Sequence, residues 1–548
     1  MLREEIRELL EISAEKTGLQ KDLVFDVSYC SEAKFGDYAS NIALVGSKLL
    51  KKKPADLAQE IIHHLDQKMF EKVEVAGPGF INFTLKNDVL TKSIEKPSKP
   101  KSAKKQKILL EYFQPNIAKP LHIGHLRTAI IGDSIKRMLL YAGEKVESDT
   151  HMGDWGTQFG YLILAFKKYG SVDNEKYVQL NTEAETDKSI HEAAKQEFVK
   201  LEAGDKENQK IWQDLVNGSM KEFLKINDLM DILPFDHHWP ESFYEDKMPA
   251  ILEELKKKKL LVESQGAQIV NLENQGLGIA VIVKSDGGTT YLLRDLATFI
   301  FAQKEGFKKH LYVVDNRQSL HYQQLFAILA LLKKIKDNEG VHINYGFISF
   351  KGQALSTRKG NMVLAQDVIT QAEEKVGKII TEKNPDLKNK DQATKAITKA
   401  ALKYFDLKHN RHSDIEFDWD EVLDFEGDSG PYLQYAYVRL SNILKKAGIT
   451  KSELRNPKLI TPTERELLFK LSILPEIVQD SLKDYLPNIL AHYLYDLSGL
   501  INKFYHESPV VAEPDEQIRN FRLSLVEKAK QTLGQGLDLL GIEALEEM

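Results

Sequence analysis

Two histidines separated by two residues are the first feature of the chain that could do chemistry. Residues 122–125 read His-Ile-Gly-His, and an apolar helical pattern continues from there to about residue 139. His122 and His125 would share one face of the first helical turn, where unpaired N–H groups carry partial positive charge. Gly124 leaves room for a phosphate or a flat ring near the backbone. The arrangement suits a nucleoside triphosphate whose α-phosphate gains charge during in-line attack.

Two other interpretations of this pair stay open. A His-x-x-His pair can ligate a metal, although no third group of ligands is evident in the sequence, and the pair can also be incidental. The context favours phosphate binding. A strand candidate at residues 108–113 and a break at Pro115 and Asn116 precede the motif, and Lys119 lies just before it.

A second string, residues 355–360, reads Leu-Ser-Thr-Arg-Lys-Gly. Small hydroxyls and two adjacent cations beside a glycine could clamp a phosphate, although such a string is more often a basic surface turn. It follows the last strand candidate and would therefore lie over the strand ends, near the histidine motif. We expect the two strings to act together, with contributions from Leu355, Ser356, Thr357, Arg358 and Lys359.

The composition limits the class of protein. The chain has 548 residues, 42% hydrophobic and 28% charged, which is ordinary for a globular protein of several domains. The formal charge of −6 excludes a uniformly basic coat protein for nucleic acid. Cys30 is the single cysteine, which excludes a disulfide framework and a Cys-rich zinc site. Without a signal-peptide core or an apolar run of about 18 residues, we expect a soluble cytoplasmic enzyme with no membrane span.

The first part of the chain is predicted to be a small α+β domain over residues 1–97, with strand candidates at 73–75 and 80–85. A stretch rich in Lys and Pro follows at 95–107. We expect it to be a solvated linker, and a basic strip that faces phosphate is the alternative.

The strand–loop–helix pattern that follows predicts a multidomain α/β protein with a Rossmann-type, doubly wound parallel sheet over residues 106–370. A polar helical insertion interrupts this domain at about 165–260. Further strand candidates are the runs at residues 279–283, 310–314 and 346–350.

The last part of the chain is predicted to be helical. Residues 371–430 form a connecting helical segment, and residues 431–548 form an all-α helical bundle. Within the bundle, Thr461, Pro462 and Glu464 have the order of a helix start, with a capping threonine and a glutamate that reaches back.

At this point the chain resembles a class I aminoacyl-tRNA synthetase and, more narrowly, the arginyl-tRNA synthetase family. The strings that carry the resemblance cover nearly the whole chain and are residues 35–41, 77–82, 115–127, 151–160, 285–287, 291–295, 428–436 and 539–542. One departure from the general class is that Leu355 and Thr357 replace the usual methionine and lysine of the second motif. The resemblance implies that Lys119 supplies the missing cation from the other side.

The resemblance implies a two-step reaction. L-Arginine attacks ATP to form arginyl-adenylate and pyrophosphate, and the arginyl group then passes to the 3′-terminal ribose of tRNA(Arg), releasing AMP. Activation is implied to require bound tRNA. Mg²⁺ is expected with ATP, zinc is not expected, and the chain is expected to be a monomer. The implied catalytic residues are Lys119, His122, His125, Arg358 and Lys359, and ATP is implied to contact His122, Gly124, His125 and residues 355–359.

A guanidinium group presents five donors in one plane, so its pocket must offer carboxylates and a phenol or amide. The resemblance implies as arginine ligands Glu111, Asn116, His122, Tyr291, Asp295 and Gln318. Structural roles are the alternative, because Asp295 could pair with Arg294 or a nearby lysine on the surface, and Tyr291 could be core. Buried acceptors would reject lysine or citrulline strongly, so no editing domain is needed.

For tRNA, the resemblance implies that residues 1–97 contact the elbow and that the helical bundle binds the anticodon. Candidates for stacking and phosphate contact are Tyr432, Tyr435, Tyr437 and Arg439, although the aromatic residues could equally be bundle core.

The sequence disfavours four other functions. A cysteinyl enzyme is disfavoured by the single cysteine, and a glutamyl enzyme by the anionic Glu111 and Asp295. A catalytically silent tRNA-binding protein would be expected to lose its phosphate-binding motifs, which are intact here. A small-molecule nucleotidyltransferase would not need the C-terminal bundle.

Overall fold

The N-terminal α+β unit is built on a four-stranded antiparallel sheet of order β1-β2-β4-β3. The computed structural model describes residues 1–100, 105–172, 174–351, 363–448 and 460–548. The strands are β1 (Val27–Tyr29), β2 (Tyr38–Ser40), β3 (Phe70–Ala76) and β4 (Phe80–Leu85), and the helices are α1 (Leu2–Glu15), α2 (Ile42–Leu50), α3 (Pro54–His64) and α4 (Asn87–Glu95). Both predicted strands of this region are confirmed.

A four-stranded parallel sheet of order β11-β10-β5-β6 lies at the centre of the molecule. Its strands are β5 (Lys107–Glu111), β6 (Lys145–Asp149), β10 (Lys309–Asp315) and β11 (Gly340–Tyr345), and the crossover helices are α5 (Ile123–Tyr141) and α12 (Ser319–Leu331). From the adjacent strands β5 and β10 the chain runs outward in opposite directions. Their carboxyl ends therefore open a crevice, the usual ligand site of such sheets.

Three strand predictions needed correction. The first strand ends at Glu111 rather than at residue 113. The run 279–283 is β9 (Ile279–Val283), which pairs with β7 (Leu261–Ser264) and β8 (Ala267–Asn271) in a separate antiparallel sheet. The run 346–350 contains β12 (Ile348–Phe350), which pairs with β13 (Ile415–Phe417), whereas the edge strand β11 was missed. β11 alternates apolar with polar residues, so it lacks the continuous apolar run typical of a buried parallel strand.

Helices cover most of the predicted insertion. They are α6 (Gln158–Tyr169), α7 (Asn174–Thr186), α8 (Lys188–Glu202), α9 (Lys206–Leu229) and α10 (Met248–Lys257), and α11 (Tyr291–Lys304) follows the antiparallel sheet. In the described part of the chain, no helix combines the length and apolarity that crossing a membrane requires.

The C-terminal part is a helical bundle that packs on α5. Its helices are α13 (Ala365–Lys383), α14 (Lys390–Lys408), α15 (Trp419–Val422), α16 (Gly430–Ala447), α17 (Pro462–Ser472), α18 (Leu474–Lys483), α19 (Pro487–Glu507) and α20 (Glu516–Leu539). The predicted helix start is confirmed: Glu464 N donates to Thr461 Oγ1 at 3.2 Å, and Thr461 N donates to Glu464 Oε2 at 2.7 Å. Ser134 Oγ donates to Leu539 O at 3.0 Å and joins α5 to the end of α20.

Candidate functional site

The histidine motif lies where the sequence predicted, at the start of α5. His122 is the N-cap, and its Nδ1 accepts a hydrogen bond from Gly124 N at 3.1 Å. His125 Nδ1 accepts from His122 N at 3.1 Å, and the two rings are 3.9 Å apart between centroids. Because both Nδ1 atoms accept, the neutral rings carry their protons on Nε2.

The two imidazoles are held in their neutral form. Burial, followed by the charge of Arg317, lowers the pKa of His122. Burial, followed by the charges of His122 and Lys119, lowers the pKa of His125 to about 3. At neutral pH the motif therefore offers N–H donors rather than cations, and the cations whose charge reaches it include Arg317 and the exposed Lys119.

The segment that follows the second motif, from residue 363 on, is attached to the first motif. Ile123 N donates to Val363 O at 3.2 Å, and Ala365 N donates to Leu121 O at 2.9 Å. The motif itself, residues 355–360, lies outside the described residues and includes Leu355, Ser356, Thr357, Arg358 and Lys359.

Five of the six predicted arginine ligands line one cavity of about 330 Å³ at the carboxyl ends of β5 and β10. They are Glu111, Asn116, Tyr291, Asp295 and Gln318. The sixth, His122, lies at the start of α5 and is not among the lining residues of this cavity. A Cβ atom at Gly153 would lie 2.3 Å from Asn116 Oδ1. Glycine at this position therefore leaves the space that the Asn116 amide occupies.

Glu111 is the most deeply buried carboxyl group of the cavity, with 2% of the residue exposed. Its Oε1 accepts from Gln114 Nε2 at 2.6 Å, and its Oε2 has no hydrogen-bond partner among the described residues. Burial, followed by the charges of Asp149 and Asp295, raises its pKa well above the usual range. A buried polar atom without a partner is costly, so the site favours a ligand that donates to Glu111 and stabilises its ionised form.

Asp295 and Tyr291 do not have the structural roles considered as alternatives. Arg294 Nε pairs with Glu245 Oε1 at 3.1 Å rather than with its neighbour in the chain. Asp295 Oδ2 instead accepts a hydrogen bond from His321 Nε2, on α12. Tyr291 is 56% exposed and is therefore not a core residue.

Sequence reasoning missed four groups at this site. His151, Glu241 and His321 line the cavity, and Asp149 is buried next to Glu111. His151 is the first residue of the string 151–160, which carried part of the family resemblance. That string was the sequence signal that could have indicated a role for His151. Glu241 lies within the predicted insertion, to which no chemistry was assigned.

Glu241 adds another buried carboxyl group to the cavity. Its Oε2 is buried and finds no donor in the part of the chain that the structure describes. Burial raises its pKa to about 8; the charge of Arg294 opposes this shift, and the charge of Asp295 adds to it. The cavity therefore combines several carboxyl groups that favour a bound cation.

The residues Glu111, Asp149 and His151 could also hold a metal ion. One ligand atom from each lies within 4.8 Å of the others, and all three residues are buried. An oxygen and nitrogen donor set of this kind suits Zn²⁺ or Mn²⁺, but Glu111 faces the same cavity as the predicted arginine ligands.

In the bundle, the four predicted tRNA-binding residues divide into two groups. Arg439 lies over the rings of Tyr435 and Tyr505, with its Cζ 4.9 and 5.0 Å from their centroids, beside a groove of about 500 Å³. Tyr435 is 48% exposed. Tyr432 and Tyr437 are partly buried and pack against the core, as their structural alternative proposed.

Family models match three consecutive parts of the chain. "Arginyl tRNA synthetase N terminal domain" matches residues 1–85, "tRNA synthetases class I (R), catalytic domain" matches 87–419, and "DALR anticodon binding domain" matches 433–548.

Whole proteins match over nearly the full length. An arginine–tRNA ligase of Clostridium botulinum strain Alaska E43 is 37% identical over 538 residues, covering 94% of this chain and 95% of that protein. The arginyl-tRNA synthetase structure from Plasmodium falciparum has a TM-score of 0.84 and 26% identity, covering 100% of this chain and 99% of the other. The Thermus thermophilus structure has a TM-score of 0.84 and 27% identity, covering 100% of both chains.

Proposed function

The chain belongs to the arginyl-tRNA synthetase family, and we propose that the carboxylate-lined cavity at the ends of β5 and β10 is where it binds arginine. The activity of this family is the attachment of arginine to tRNA(Arg) with ATP, and this chain is an enzyme of that activity. The assignment of individual residues to steps of the reaction is our proposal.

One observation carries the proposal for arginine: the cavity holds more buried acceptors than the described protein donors satisfy. Glu111 and Glu241 each keep an unpartnered buried oxygen, and Asp295 shares the cavity with them. A guanidinium offers five N–H donors and a permanent positive charge. It would complete the hydrogen bonding of these carboxyl groups, and Tyr291 would add an oxygen at the exposed side.

The amide groups suit the other end of the amino acid. Asn116 and Gln318 line the same cavity, and Asn116 follows β5 on the path to the histidine motif. We assign them to the α-amino and α-carboxyl groups of arginine. This orientation directs the attacking carboxylate toward the start of α5, where ATP would bind.

For the first step, the protein positions the reactants and stabilises charge on the phosphates. The Nε2–H groups of His122 and His125 are available as donors because both Nδ1 atoms are already used as acceptors. Lys119, in the loop just before α5, supplies a cation close to His125. Arg358 and Lys359, with Ser356 and Thr357, are proposed to contact ATP from the second motif.

For the second substrate, we propose that tRNA(Arg) binds along the bundle, with the exposed Tyr435 and the half-buried Arg439 contacting anticodon nucleotides. An aromatic ring stacked under a guanidinium, beside a groove, offers a surface on which a base can stack. Tyr432 and Tyr437, being partly buried, are proposed to support this surface from below. Residues 1–97 are proposed to contact the tRNA elbow.

Further features of the enzyme are proposed from the family resemblance. Mg²⁺ would accompany ATP through phosphate oxygens and water, and no zinc would be needed for catalysis. The enzyme is proposed to be a cytoplasmic monomer of four segments, 1–97, 106–370, 371–430 and 431–548, that activates arginine only when tRNA is bound.

The test is ATP–pyrophosphate exchange with each amino acid, with and without tRNA. Exchange with arginine alone among the amino acids, and only with tRNA present, is expected. Exchange with another amino acid would contradict the assignment of the cavity. No exchange from a folded protein that still binds tRNA would instead indicate a catalytically silent tRNA-binding protein.

A further inference from the structure

His321 stands in contact with the carboxylate most exposed to an incoming guanidinium. It lies in the first turn of α12 and its Nε2 is hydrogen-bonded to Asp295 Oδ2. The other carboxylate oxygen, Asp295 Oδ1, lies 3.9 Å from His151 Nε2. Both histidines line the cavity with Asp295. The carboxylate is therefore flanked by two imidazoles.

Among the described residues, no lysine or arginine pairs with Asp295, although Arg294 lines the same cavity. Arg294 is next to Asp295 in the chain, but its Nε pairs with Glu245 and its Nη2 donates to Thr289 Oγ1 at 3.1 Å. The structure thus commits the arginine elsewhere and leaves Asp295 with partners whose charge depends on protonation.

The groups that face His321 come from every element around it. Asp295 and Arg294 come from α11, His151 from the loop after β6, Glu111 from the end of β5, and His342 from β11. Its neighbour on α12 is Tyr322, with the two rings 5.3 Å apart between centroids. Burial is the main reason that the pKa of His342 is lowered, to about 4, so that ring is neutral near pH 7 and adds no competing charge.

We propose that His321 is a positioning residue for Asp295 and that it gives up its proton when the guanidinium of arginine enters the cavity. In the empty site the imidazolium balances the carboxylate. In the filled site the guanidinium does so, the proton leaves from Nδ1 to solvent, and the neutral ring keeps its Nε2–H bond to Asp295. The proposal rests on the proposed assignment of the cavity to arginine.

Two further observations support this exchange. The pKa of His321 is raised: burial works against the charged form, but the hydrogen bond to Asp295 and its charge outweigh burial. The ring is also not sealed from solvent, since 22% of the side chain is exposed. A proton can therefore leave while the contact with Asp295 persists.

The consequence is a coupling between pH and arginine binding. Each proton released on binding makes the Kd for arginine fall by up to tenfold per unit rise in pH, in the range where the group titrates. Glu111 and Glu241 would release protons as well, because a bound cation favours their ionised forms. The contribution of His321 to the total proton release must therefore be measured with a variant of that residue.

The experiment is calorimetric titration with arginine in two buffers of different ionisation enthalpy, from pH 6 to 8.5, with the full chain alone and with saturating tRNA(Arg). The wild type is expected to release protons with arginine and far fewer with citrulline, which has the same shape but no charge. His321→Gln keeps a donor for Asp295 and cannot titrate. On binding arginine, this variant should release up to about one proton fewer than the wild type. Its Kd for arginine should also depend less strongly on pH.

The matched control is His506→Gln, a histidine exposed on α19, which should release as many protons as the wild type. In pyrophosphate exchange, the KM for arginine should rise less steeply toward low pH in His321→Gln than in the wild type. The kcat of the variant should change by no more than about threefold. A purely structural role would not move the proton count.

Equal proton release by His321→Gln and the wild type would overturn the proposal. If that variant does not fold, the wild type labelled with ¹⁵N-histidine decides: saturation with arginine should convert one imidazolium to a neutral ring, and no conversion overturns the proposal. Failure of the proposed function looks different, because the wild type would then bind or activate another amino acid in place of arginine.

Discussion

Replacement of Glu111 by glutamine should weaken arginine recognition while stabilising the folded protein. Glutamine has nearly the same size, and its side-chain oxygen can still accept the hydrogen bond that Gln114 Nε2 donates to Oε1 at 2.6 Å. The substitution replaces the unpartnered Oε2 with an N–H donor group. A guanidinium would then meet a donor where it needs an acceptor, and the negative charge would be absent.

The size of the functional effect follows from the bond that is lost. A hydrogen bond to a charged group contributes about 1.5–3 kcal/mol, and about 1.4 kcal/mol corresponds to a factor of ten. The kcat/KM for arginine should therefore fall by roughly 10- to 150-fold. Because the guanidinium is remote from the reacting carboxylate, the loss should be mainly in KM, with kcat little changed.

The effect on stability has the opposite sign. Burial, with the charges of Asp149 and Asp295, raises the pKa of Glu111 well above its value in the unfolded chain, which is about 4.3. Such a group costs stability as the pH rises from its unfolded pKa toward its folded pKa. Glu111→Gln lacks this cost, so its advantage in the free energy of unfolding should grow from pH 5 to pH 8.

Two assays check the prediction. Pyrophosphate exchange with tRNA present gives kcat and KM for arginine, and urea unfolding at pH 5 and pH 8 gives stability. Glu305→Gln, at the exposed end of α11, is the control and should leave both unchanged. A Glu111→Gln enzyme with kcat/KM within threefold of the wild type, or one less stable at pH 8, would refute the reasoning.

Three further predictions concern other parts of the molecule. Arg127→Met should lose about 3–5 kcal/mol in urea unfolding, because Arg127 is buried and pairs with the buried Asp406 at 3.7 Å; a loss under 1 kcal/mol would contradict this. Glu197→Gln should lower the free energy of unfolding at pH 7 and do so progressively less below pH 4.5. Burial raises the pKa of Glu197, but Lys167, Lys200 and Asn208 outweigh burial and lower it to about 2. A loss of stability that does not change with pH would contradict this prediction. Tyr435→Ala should raise the KM for tRNA(Arg) by roughly 5- to 150-fold, because about 1–3 kcal/mol of base stacking is lost. The KM for arginine, measured by pyrophosphate exchange with saturating tRNA, should stay unchanged. An unchanged KM for tRNA would show that Tyr435 is not part of the interface.

Features set by nearby residues were predictable from the sequence. The start of α5 at the histidine motif and the capping pair Thr461 and Glu464 both depend on groups three residues apart. Such contacts form within one helical turn, whatever the rest of the chain does. The strand–helix order also sufficed to predict a parallel sheet with its ligand site at the carboxyl ends of the strands.

The candidate arginine ligands could not be found from local contacts. Glu111, Asn116, Tyr291, Asp295 and Gln318 were named from a family resemblance, and the structure brings them to one cavity. Their assigned roles remain proposals. Spacing could not have grouped them, since they lie on β5, on α11 and in the segments that follow β5 and precede α12, far apart in the chain.

Only the tertiary structure decided which groups complete the site and which predicted groups are buried. His321 reaches Asp295 because α11 and α12 both begin beside the same crevice, and Glu241 enters it from the insertion. Among the bundle aromatics, Tyr435 is exposed and Tyr432 is not, because the neighbouring helices cover one face of α16 and leave the other open. Local sequence determines hydrogen bonds within a turn, whereas burial and cavity contacts depend on how distant elements pack, and those contacts set the charges on which recognition of arginine depends.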